Sequence, residues 1–322
     1  DKLKETYSNL NSWQKTLVAR HEDRPRASYY IKKIFDEITI LSGDRYFGDD
    51  KSVLAAFGLI DNKSVLIIGQ EKGADLETRI ESNFGMMRPE GYRKCIRLMK
   101  LADRFKIPVI NFIDTPGAYP GVGAEQRGQA SAIANSIECG MSLSVPNISI
   151  IIGEGGSGGA IALASSNKVI MLENSIYSVI SPEGCASILW RDPSKSLQAA
   201  EAMKLTAKDL LQFGIIDEII PEPLGGAHRD PETIGLDIKH SIIKNLKIFE
   251  NLSSKEILDH RKVKFLKIGR DEGFGKSNNL NETGLIFKES GLNKIKSHLL
   301  ENKLIYIGIS LVLIAVLISF IY

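Results

Sequence analysis

The sequence is organised around Asp114-Thr-Pro-Gly-Ala-Tyr-Pro-Gly121 and Gly153-Glu-Gly-Gly-Ser-Gly-Gly159, two glycine-rich turns about thirty residues apart. Each turn follows an apolar run that predicts a buried strand, residues 109–113 in the first case and 148–152 in the second. The second turn also opens a helical stretch at 160–164. A strand, a glycine turn and a helix start leave backbone N–H groups without intrahelical partners. Two such turns side by side can hold an oxyanion between them.

The pattern around these turns alternates between predicted strands and predicted helices, which indicates an α/β architecture with crossover connections. Strands are predicted at 52–59, 64–69, 109–113, 147–152, 168–172, 176–180 and 215–220. Helices are predicted at 89–105, 126–140, 160–165, 197–204, 207–213 and 232–266. Residues 1–42 show helical spacing in two groups separated by a break with Pro25, which predicts two helices, the second including Tyr30, Ile34, Ile38 and Leu41.

The composition favours an ordinary globular protein and gives no case for nucleic-acid binding. The chain has 322 residues, 43% of them hydrophobic, and a net charge of +2. Its three cysteines, Cys95, Cys139 and Cys185, are widely spaced and form no C-x-x-C pair, so no metal site is expected. A reduced, cytoplasmic setting fits this cysteine usage better than a disulfide scaffold.

The end of the sequence predicts a membrane tether. Residues 304–322 form a run without a charged side chain, long enough to cross a bilayer as a transmembrane helix. Lys294, Lys296 and Lys303 precede this run, which favours a cytoplasmic location for that flank. We therefore divide the chain into an N-terminal helical region (1–51), a main domain (52–268), a basic flexible linker (269–303) and this tail. The alternative is that the tail is an apolar core helix.

Two short motifs have competing explanations. Glu201-Ala-Met-Lys-Leu205 is similar to a biotin attachment motif, but Lys204 lies in strongly helical sequence, whereas that motif requires a hairpin tip. Gly155-Gly-Ser-Gly-Gly159 fits the G-x-S-x-G nucleophile elbow of serine hydrolases, with Ser157 as the nucleophile. This second match leaves open a membrane-anchored serine hydrolase or peptidase that uses a lysine or histidine base.

Six segments, in order along the chain, resemble the carboxyltransferase alpha subunit of bacterial-type acetyl-CoA carboxylase. The resemblance covers roughly residues 10–268. The segments are Phe84-Gly-Met86, Pro89-Glu-Gly-Tyr-Arg-Lys94, the two glycine turns, Ser178-Val-Ile-Ser-Pro-Glu-Gly-Cys-Ala-Ser-Ile-Leu-Trp190 and Ile219-Ile-Pro-Glu-Pro-Leu-Gly-Gly-Ala-His228. The resemblance implies a crotonase-like fold, a spiral of ββα units. The apolar tail is a departure from this family, whose members are usually soluble.

The resemblance also implies a reaction and its partners. The carboxyl group of carboxybiotin, borne by a biotin carboxyl carrier protein, passes to acetyl-CoA and gives malonyl-CoA for fatty acid synthesis. The family works as an α2β2 assembly with a beta subunit that carries a zinc ribbon and most of the acyl-CoA site. ATP use belongs to the biotin carboxylase subunit, in keeping with the lack of a P-loop motif in this chain.

Backbone amides are the expected catalytic groups, because two anions must be stabilised and the sequence is poor in catalytic side chains. The candidates are Gly158, Gly159 and Ala160 at the helix start, with Gly155, Gly156, Gly117 and Ala118 in support. Tyr119, Gly121, Ser181 and Glu183 are candidates for a carboxybiotin slot. Asp114 is expected to brace the first turn. A third hypothesis is a membrane scaffold that has lost catalysis and only binds the beta subunit.

Overall fold

The computed structural model describes residues 2–269, and their strands form one eight-stranded sheet. Along the sheet the order is β1-β2-β3-β4-β5-β6-β8, with β7 paired to β5 outside this path. The strands are β1 (Asp36–Ile40), β2 (Val53–Ile60), β3 (Lys63–Gln70), β4 (Val109–Thr115), β5 (Asn147–Gly156), β6 (Lys168–Leu172), β7 (Ile176–Ser178) and β8 (Glu218–Ile220). The first three strands pair antiparallel and the others pair parallel.

Thirteen α-helices are present in the described part of the chain. They are α1 (Lys2–Ser8), α2 (Ser12–Ala19), α3 (Ala27–Ile34), α4 (Leu76–Glu81), α5 (Pro89–Arg104), α6 (Val122–Gln126), α7 (Gln129–Ser142), α8 (Ser157–Ala164), α9 (Pro182–Trp190), α10 (Ser196–Met203), α11 (Ala207–Gln212), α12 (Pro231–Phe249) and α13 (Ser254–Lys267). Helices α5, α7 and α8 pack on one face of the sheet, and α3 and α12 pack on the other.

The long central strand β5 has different neighbours along its two halves. Ile148–Ile151 pair with both β4 and β6, whereas Glu154–Gly156 pair with β7, and Gly155 lies opposite Thr115 of β4. Every residue of β4 and β5 is buried, as expected for parallel strands that are covered on both faces. The carboxyl ends of these two strands therefore deliver both glycine turns to one edge of the sheet.

Most of the predicted elements are confirmed. The structure contains the predicted helix along 89–105 and the predicted strands along 109–113 and 168–172. The hairpin between β2 and β3 turns at Asp61 and Asn62, both with positive φ, which is the conformation that a tight hairpin turn requires.

Several predictions are wrong in detail. The helix predicted through Leu41 ends at Ile34, and residues 36–40 instead form β1, which hydrogen-bonds to the free edge of β2. The second glycine turn is shorter than expected, because Gly153–Gly156 extend β5. Helix α9 was not predicted. The helix expected from Gln126 begins at Gln129, because Gly128 adopts a left-handed conformation that separates it from α6.

The predicted membrane tail lies outside the described residues. Within residues 2–269, no helix combines the length and the apolar composition that crossing a bilayer requires.

Candidate active site

The two glycine turns are in direct contact at the sheet edge. A Cβ atom on Gly156 would lie 2.2 Å from the carbonyl oxygen of Pro116. A Cβ atom on Gly159 would lie 2.7 Å from the carbonyl carbon of Gly117 and 2.9 Å from the amide nitrogen of Ala118. Any side chain at these two positions would therefore push the turns apart. Gly158 differs, because a Cβ atom there would meet only Ile133 at an ordinary 3.6 Å.

Helix α8 begins at this contact with its first N–H groups uncapped. Its N-cap residue is Gly156, and no side chain accepts a hydrogen bond from the first turn of the helix. The amides of Gly158 and Gly159 therefore lie at the positive end of the helix dipole, where a negatively charged oxygen is stabilised. Ala160 is fully buried behind them.

Two polar side chains fix the positions of these turns. The Thr115 hydroxyl accepts a hydrogen bond from the Gly117 amide at 3.1 Å and donates one to the Gly117 carbonyl at 2.7 Å. The buried Gln70 amide donates to the Gly159 carbonyl at 2.8 Å, which ties β3 to the start of α8. The turns are thus held before any ligand arrives, which is the arrangement that electrostatic stabilisation requires.

A lysine with a 12% exposed side chain joins one acidic residue from each turn. Lys72 Nζ lies 2.8 Å from Asp114 Oδ1 and 2.7 Å from Glu154 Oε1. The same Asp114 oxygen accepts the Glu154 backbone N–H at 2.9 Å. We call Lys72, Asp114 and Glu154 the lysine clamp. Because Asp114 leads into the first turn and Glu154 leads into the second, the clamp sets the spacing between the two.

Arginine side chains extend the clamp towards the N-terminal helices and α9. Arg20 Nε lies 2.7 Å from Glu154 Oε2, and Arg20 Nη1 lies 2.6 Å from Glu183 Oε1. Arg26 Nη1 lies 3.5 Å from Asp114 Oδ2. Burial disfavours the charged form of Glu154, but Lys72 and Arg20 outweigh burial, so the pKa of Glu154 lies below its usual value. Glu154 is therefore a carboxylate at neutral pH and does not act as a proton donor there.

The structure brings together the residues predicted to form the oxyanion hole. Gly117 and Ala118 contact Gly159. Gly155 and Gly156 line a cleft with Ser181, Pro116 and Arg20, which we call the glycine cleft. A second cleft of about 240 Å³ shares Arg20, Pro116 and Glu154 with the first and is also lined by Arg26, Lys72, Arg79 and Phe84.

The four residues predicted to form the carboxybiotin slot are divided between two places. The Ser181 hydroxyl lies in the glycine cleft, where it also caps α9 by accepting the Gly184 amide at 3.0 Å, and Glu183 is held by Arg20. Tyr119 instead lies with its ring 4.7 Å from the Arg88 guanidinium and packed over Gly121, where a Cβ would fall 2.3 Å from the ring. Tyr119 and Gly121 do not line the glycine cleft.

Asp114 and Lys204, which the sequence also pointed to, occupy positions with a structural role. Asp114 is almost fully buried and braces β5 through the clamp. Lys204 ends α10 in a left-handed conformation and is not at a hairpin tip. No three His, Cys, Asp or Glu side chains in the described part of the chain are placed to hold a metal ion.

Ser157 has the backbone of a nucleophile elbow but lacks a base. It occupies the strand-to-helix junction with a φ of 52°, as such an elbow requires. Within residues 2–269, however, its hydroxyl makes no hydrogen bond to a histidine, lysine or carboxylate. The geometry thus does not support activation of Ser157.

The sequence alone did not point to Lys72, Arg20 or Gln70. Each lies far along the chain from the residue it contacts, so no local motif contains the pair. The one available signal was Glu154, a charged residue at the end of an otherwise apolar strand, because buried carboxylates require a cationic partner.

A family model described as "Acetyl co-enzyme A carboxylase carboxyltransferase-like" matches residues 1–269. The chain is 66% identical over 305 residues to the acetyl-coenzyme A carboxylase carboxyl transferase subunit alpha of Pelagibacter ubique, covering 94% of this chain and 82% of the relative. The corresponding subunit of Beijerinckia indica is 55% identical over 268 residues, covering 83% and 84% respectively. The chain belongs to the family of acetyl-CoA carboxylase carboxyltransferase alpha subunits.

Solved structures confirm the crotonase-like α/β fold of this carboxyltransferase subunit. Transcarboxylase 12S matches 68% of the chain with a TM-score of 0.57 and 19% identity, and the match spans 40% of the transcarboxylase chain. A chain of a Pseudomonas malonate decarboxylase hetero-tetramer in complex with coenzyme A matches 67% of this chain, with a TM-score of 0.56 and 16% identity. The match spans 86% of the malonate decarboxylase chain. At these identities the likeness concerns the fold alone.

Family membership also resolves the competing functional hypotheses. The chain is a carboxyltransferase subunit of acetyl-CoA carboxylase, which makes malonyl-CoA for fatty acid biosynthesis. The serine hydrolase and scaffold alternatives have no comparable support, and the isolated hydroxyl of Ser157 argues against the hydrolase.

Proposed function

We propose that the two glycine turns form a backbone oxyanion hole for the transfer of a carboxyl group from carboxybiotin to acetyl-CoA. The donors are the amides of Gly158 and Gly159 at the start of α8 and the amide of Ala118 in the first turn, with Gly117, Gly155, Gly156 and Ala160 shaping their surroundings. The observation that carries the proposal is the contact between the turns beside an uncapped helix start.

The fit of a biotin group rests on this chain's own surfaces. Gly155 and Gly156 line the glycine cleft together with Pro116 and Arg20. Ser181 lines that cleft and Arg20 holds Glu183, whereas Tyr119 and Gly121 lie apart from it beside Arg88 and are left out of the proposed slot. Carboxybiotin would supply the carboxyl group and, once decarboxylated, a base for the acetyl proton. Losing one oxyanion donor typically costs about 3 kcal/mol of transition-state stabilisation.

The proposed partner proteins follow from the two substrates, acetyl-CoA and carboxybiotin. A beta subunit with a zinc ribbon would supply the acyl-CoA site in an α2β2 assembly, and biotin carboxylase with a biotin carboxyl carrier protein would supply carboxybiotin. This proposal is motivated by the family of the chain and by the contact between its two glycine turns.

The test measures malonyl-CoA formation from acetyl-CoA and carboxybiotin by this chain alone, by its mixture with the beta subunit, and by mixtures that contain variants. Gly159→Ala keeps the amide but places a methyl group against Gly117, so we expect activity to fall at least a hundredfold. Gly48→Ala is the control, because a Cβ there has nothing within 4 Å.

Assembly with the beta subunit and the melting temperature are measured for each variant. These measurements distinguish a variant that fails to fold from one that folds but has a disrupted oxyanion hole. Full activity of an assembled Gly159→Ala enzyme would show that the contact between the turns is not needed for catalysis. Activity of the alpha chain alone would refute the proposal that the active site is shared with the beta subunit.

We also propose that residues 304–322 tether the cytoplasmic complex to the membrane. The support is the uncharged run behind Lys294, Lys296 and Lys303. Fractionation of cells that express the full chain and a chain ending at residue 268 tests this. We expect only the full chain to require detergent for extraction, and its recovery in the soluble fraction without detergent would refute the tether.

A further inference from the structure

The loop between β1 and β2 presents two aromatic side chains to solvent on a rigid frame. Tyr46 is 86% exposed and Phe47 is 61% exposed. The loop beneath them is fixed because the buried Asp44 carboxylate accepts the amides of Tyr46, Phe47 and Gly48 at 2.7–2.9 Å. Exposed aromatic rings on a preorganised loop bind a planar ligand without a large loss of conformational entropy.

Arginine side chains pack against one face of each ring. The Arg93 guanidinium lies 5.3 Å from the Tyr46 ring centroid, and the Arg127 guanidinium lies 4.4 Å from that of Phe47. Both arginines are held by carboxylates, Arg93 by Asp44 at 2.7 Å and Arg127 by Glu90 at 2.9 Å. The arginines therefore fix the rings, and the outward face of Tyr46 is left for a ligand.

A basic groove adjoins Tyr46 through Arg93. The groove lies between α5 and α7, has a volume of about 660 Å³ and is lined by Arg93, Ile96, Arg97, Lys100, Asn135, Glu138, Cys139 and Ser142. This volume is within the range of small-molecule sites. Glu138 is the one carboxylate among these lining residues, against three cations.

Three cations around the groove have no carboxylate partner within the described residues. Arg97 bonds only the backbone carbonyls of Ser42 and Gly43, and neither Arg45 nor Lys100 forms an ion pair. Burial and repulsion from the nearby charge of Arg45 lower the pKa of Arg97 by more than the carboxylates of Asp44 and Asp49 raise it. An anion bound between them would relieve that repulsion.

We propose that this groove binds a nucleoside polyphosphate, with the base stacked on Tyr46 and the phosphates held by Arg97, Lys100 and Arg45. The phosphates match the cations that lack carboxylate partners, and the planar base matches the exposed ring. Two ligands share this chemistry, a free nucleotide such as ADP and the phosphorylated adenosine end of coenzyme A.

The experiment is isothermal titration calorimetry of the full chain without the beta subunit, because the acyl-CoA site proposed for that subunit would also bind coenzyme A. The probes are ADP, coenzyme A, pantetheine, adenosine and inorganic phosphate, each at low and high salt. We expect ADP and coenzyme A to bind at least tenfold more tightly than phosphate or adenosine, and to weaken at high salt. Equal affinity for ADP and coenzyme A indicates a free nucleotide site, whereas a preference for coenzyme A indicates that its adenosine end is the ligand.

Variants locate the binding. Arg97→Gln with Lys100→Gln should weaken ADP binding at least tenfold, and Tyr46→Ala should weaken ADP binding while leaving phosphate binding unchanged. Because Arg97 also supports the loop, Arg45→Gln with Lys100→Gln provides a second charge variant. Lys208→Gln with Lys255→Gln, two exposed lysines on other helices, is the matched control.

Four results would overturn the proposal. They are failure of ADP and coenzyme A to bind, equal binding of pantetheine and coenzyme A, equal effects of the groove and control variants, and loss of beta-subunit assembly in the groove variants, which would make the surface a protein interface. Because binding is measured without turnover, none of these results bears on the oxyanion hole.

Discussion

Replacing Lys72 with methionine should disturb both the stability of the fold and its chemistry. The substitution keeps the length of the side chain but removes the charge that lies 2.8 Å from Asp114 and 2.7 Å from Glu154. Their side chains are only 1% and 10% exposed, so water from the cleft that Lys72 and Glu154 line replaces the lost ammonium group only in part. Two buried carboxylates would then face each other with only Arg20 and the more distant Arg26 as counter-charges.

The size of the effect follows from this burial. Breaking a buried ion pair by removing one partner costs roughly 3–5 kcal/mol, and the remaining arginines place this case near the lower end. A loss of about 3 kcal/mol lowers the melting temperature by roughly 6–12 °C in a domain of this size. Because the clamp sets the spacing of the turns, we also expect kcat to fall about a hundredfold, with little change in the KM for acetyl-CoA.

The assays are calorimetric melting of the full chain and steady-state malonyl-CoA synthesis by the assembled enzyme. Lys72→Arg restores the charge and should recover part of both losses. Lys208→Met removes an exposed lysine and should change neither. A Lys72→Met enzyme with a melting temperature within 1 °C of the parent protein and an unchanged kcat would refute the clamp. Loss of stability with an unchanged kcat would refute its role in positioning the turns.

Further predictions concern charged groups elsewhere in the fold. Arg24→Met should cost roughly 3–5 kcal/mol of unfolding free energy in urea titrations, because its partner Glu222 has no solvent exposure. The unfolding free energy should fall as the pH drops below about 4. Burial raises the pKa values of Glu154 and Glu222, but Lys72 and Arg24 respectively lower them by more, so both pKa values are lower in the folded than in the unfolded protein. Asp44→Asn should make the loss of unfolding free energy in acid smaller, because it removes one more carboxylate that loses stabilising contacts on protonation. Burial raises the pKa of Asp44, but hydrogen bonds from the amides of its loop outweigh burial and lower the pKa to about 2. Burial and the stacked His21 ring, 3.7 Å away, lower the pKa of His228, so His21→Gln should raise the His228 pKa in an NMR titration.

Elements with strong local signals were predicted well. Helix α5 begins at Pro89 and repeats apolar residues at helical spacing, and β4 is a short apolar run between turn signals. The prediction failed at β1, where Tyr30, Ile34, Ile38 and Leu41 keep helical spacing although the chain changes to a strand after Ile34. The hydrogen bonds offered by the edge of β2 outweighed that weak local preference.

By itself, the sequence determined the glycine turns, the strands that carry them and the family of the chain, since glycine spacing and apolar runs are local properties. Only the tertiary structure decided that Gly159 lies against Gly117, that Lys72 joins Asp114 to Glu154, and that Tyr119 lies apart from Ser181. These contacts join residues brought together by parallel strand pairing and crossover helices. Buried charges gain their partners only when that packing excludes water, so no local stretch of sequence specifies the pairs.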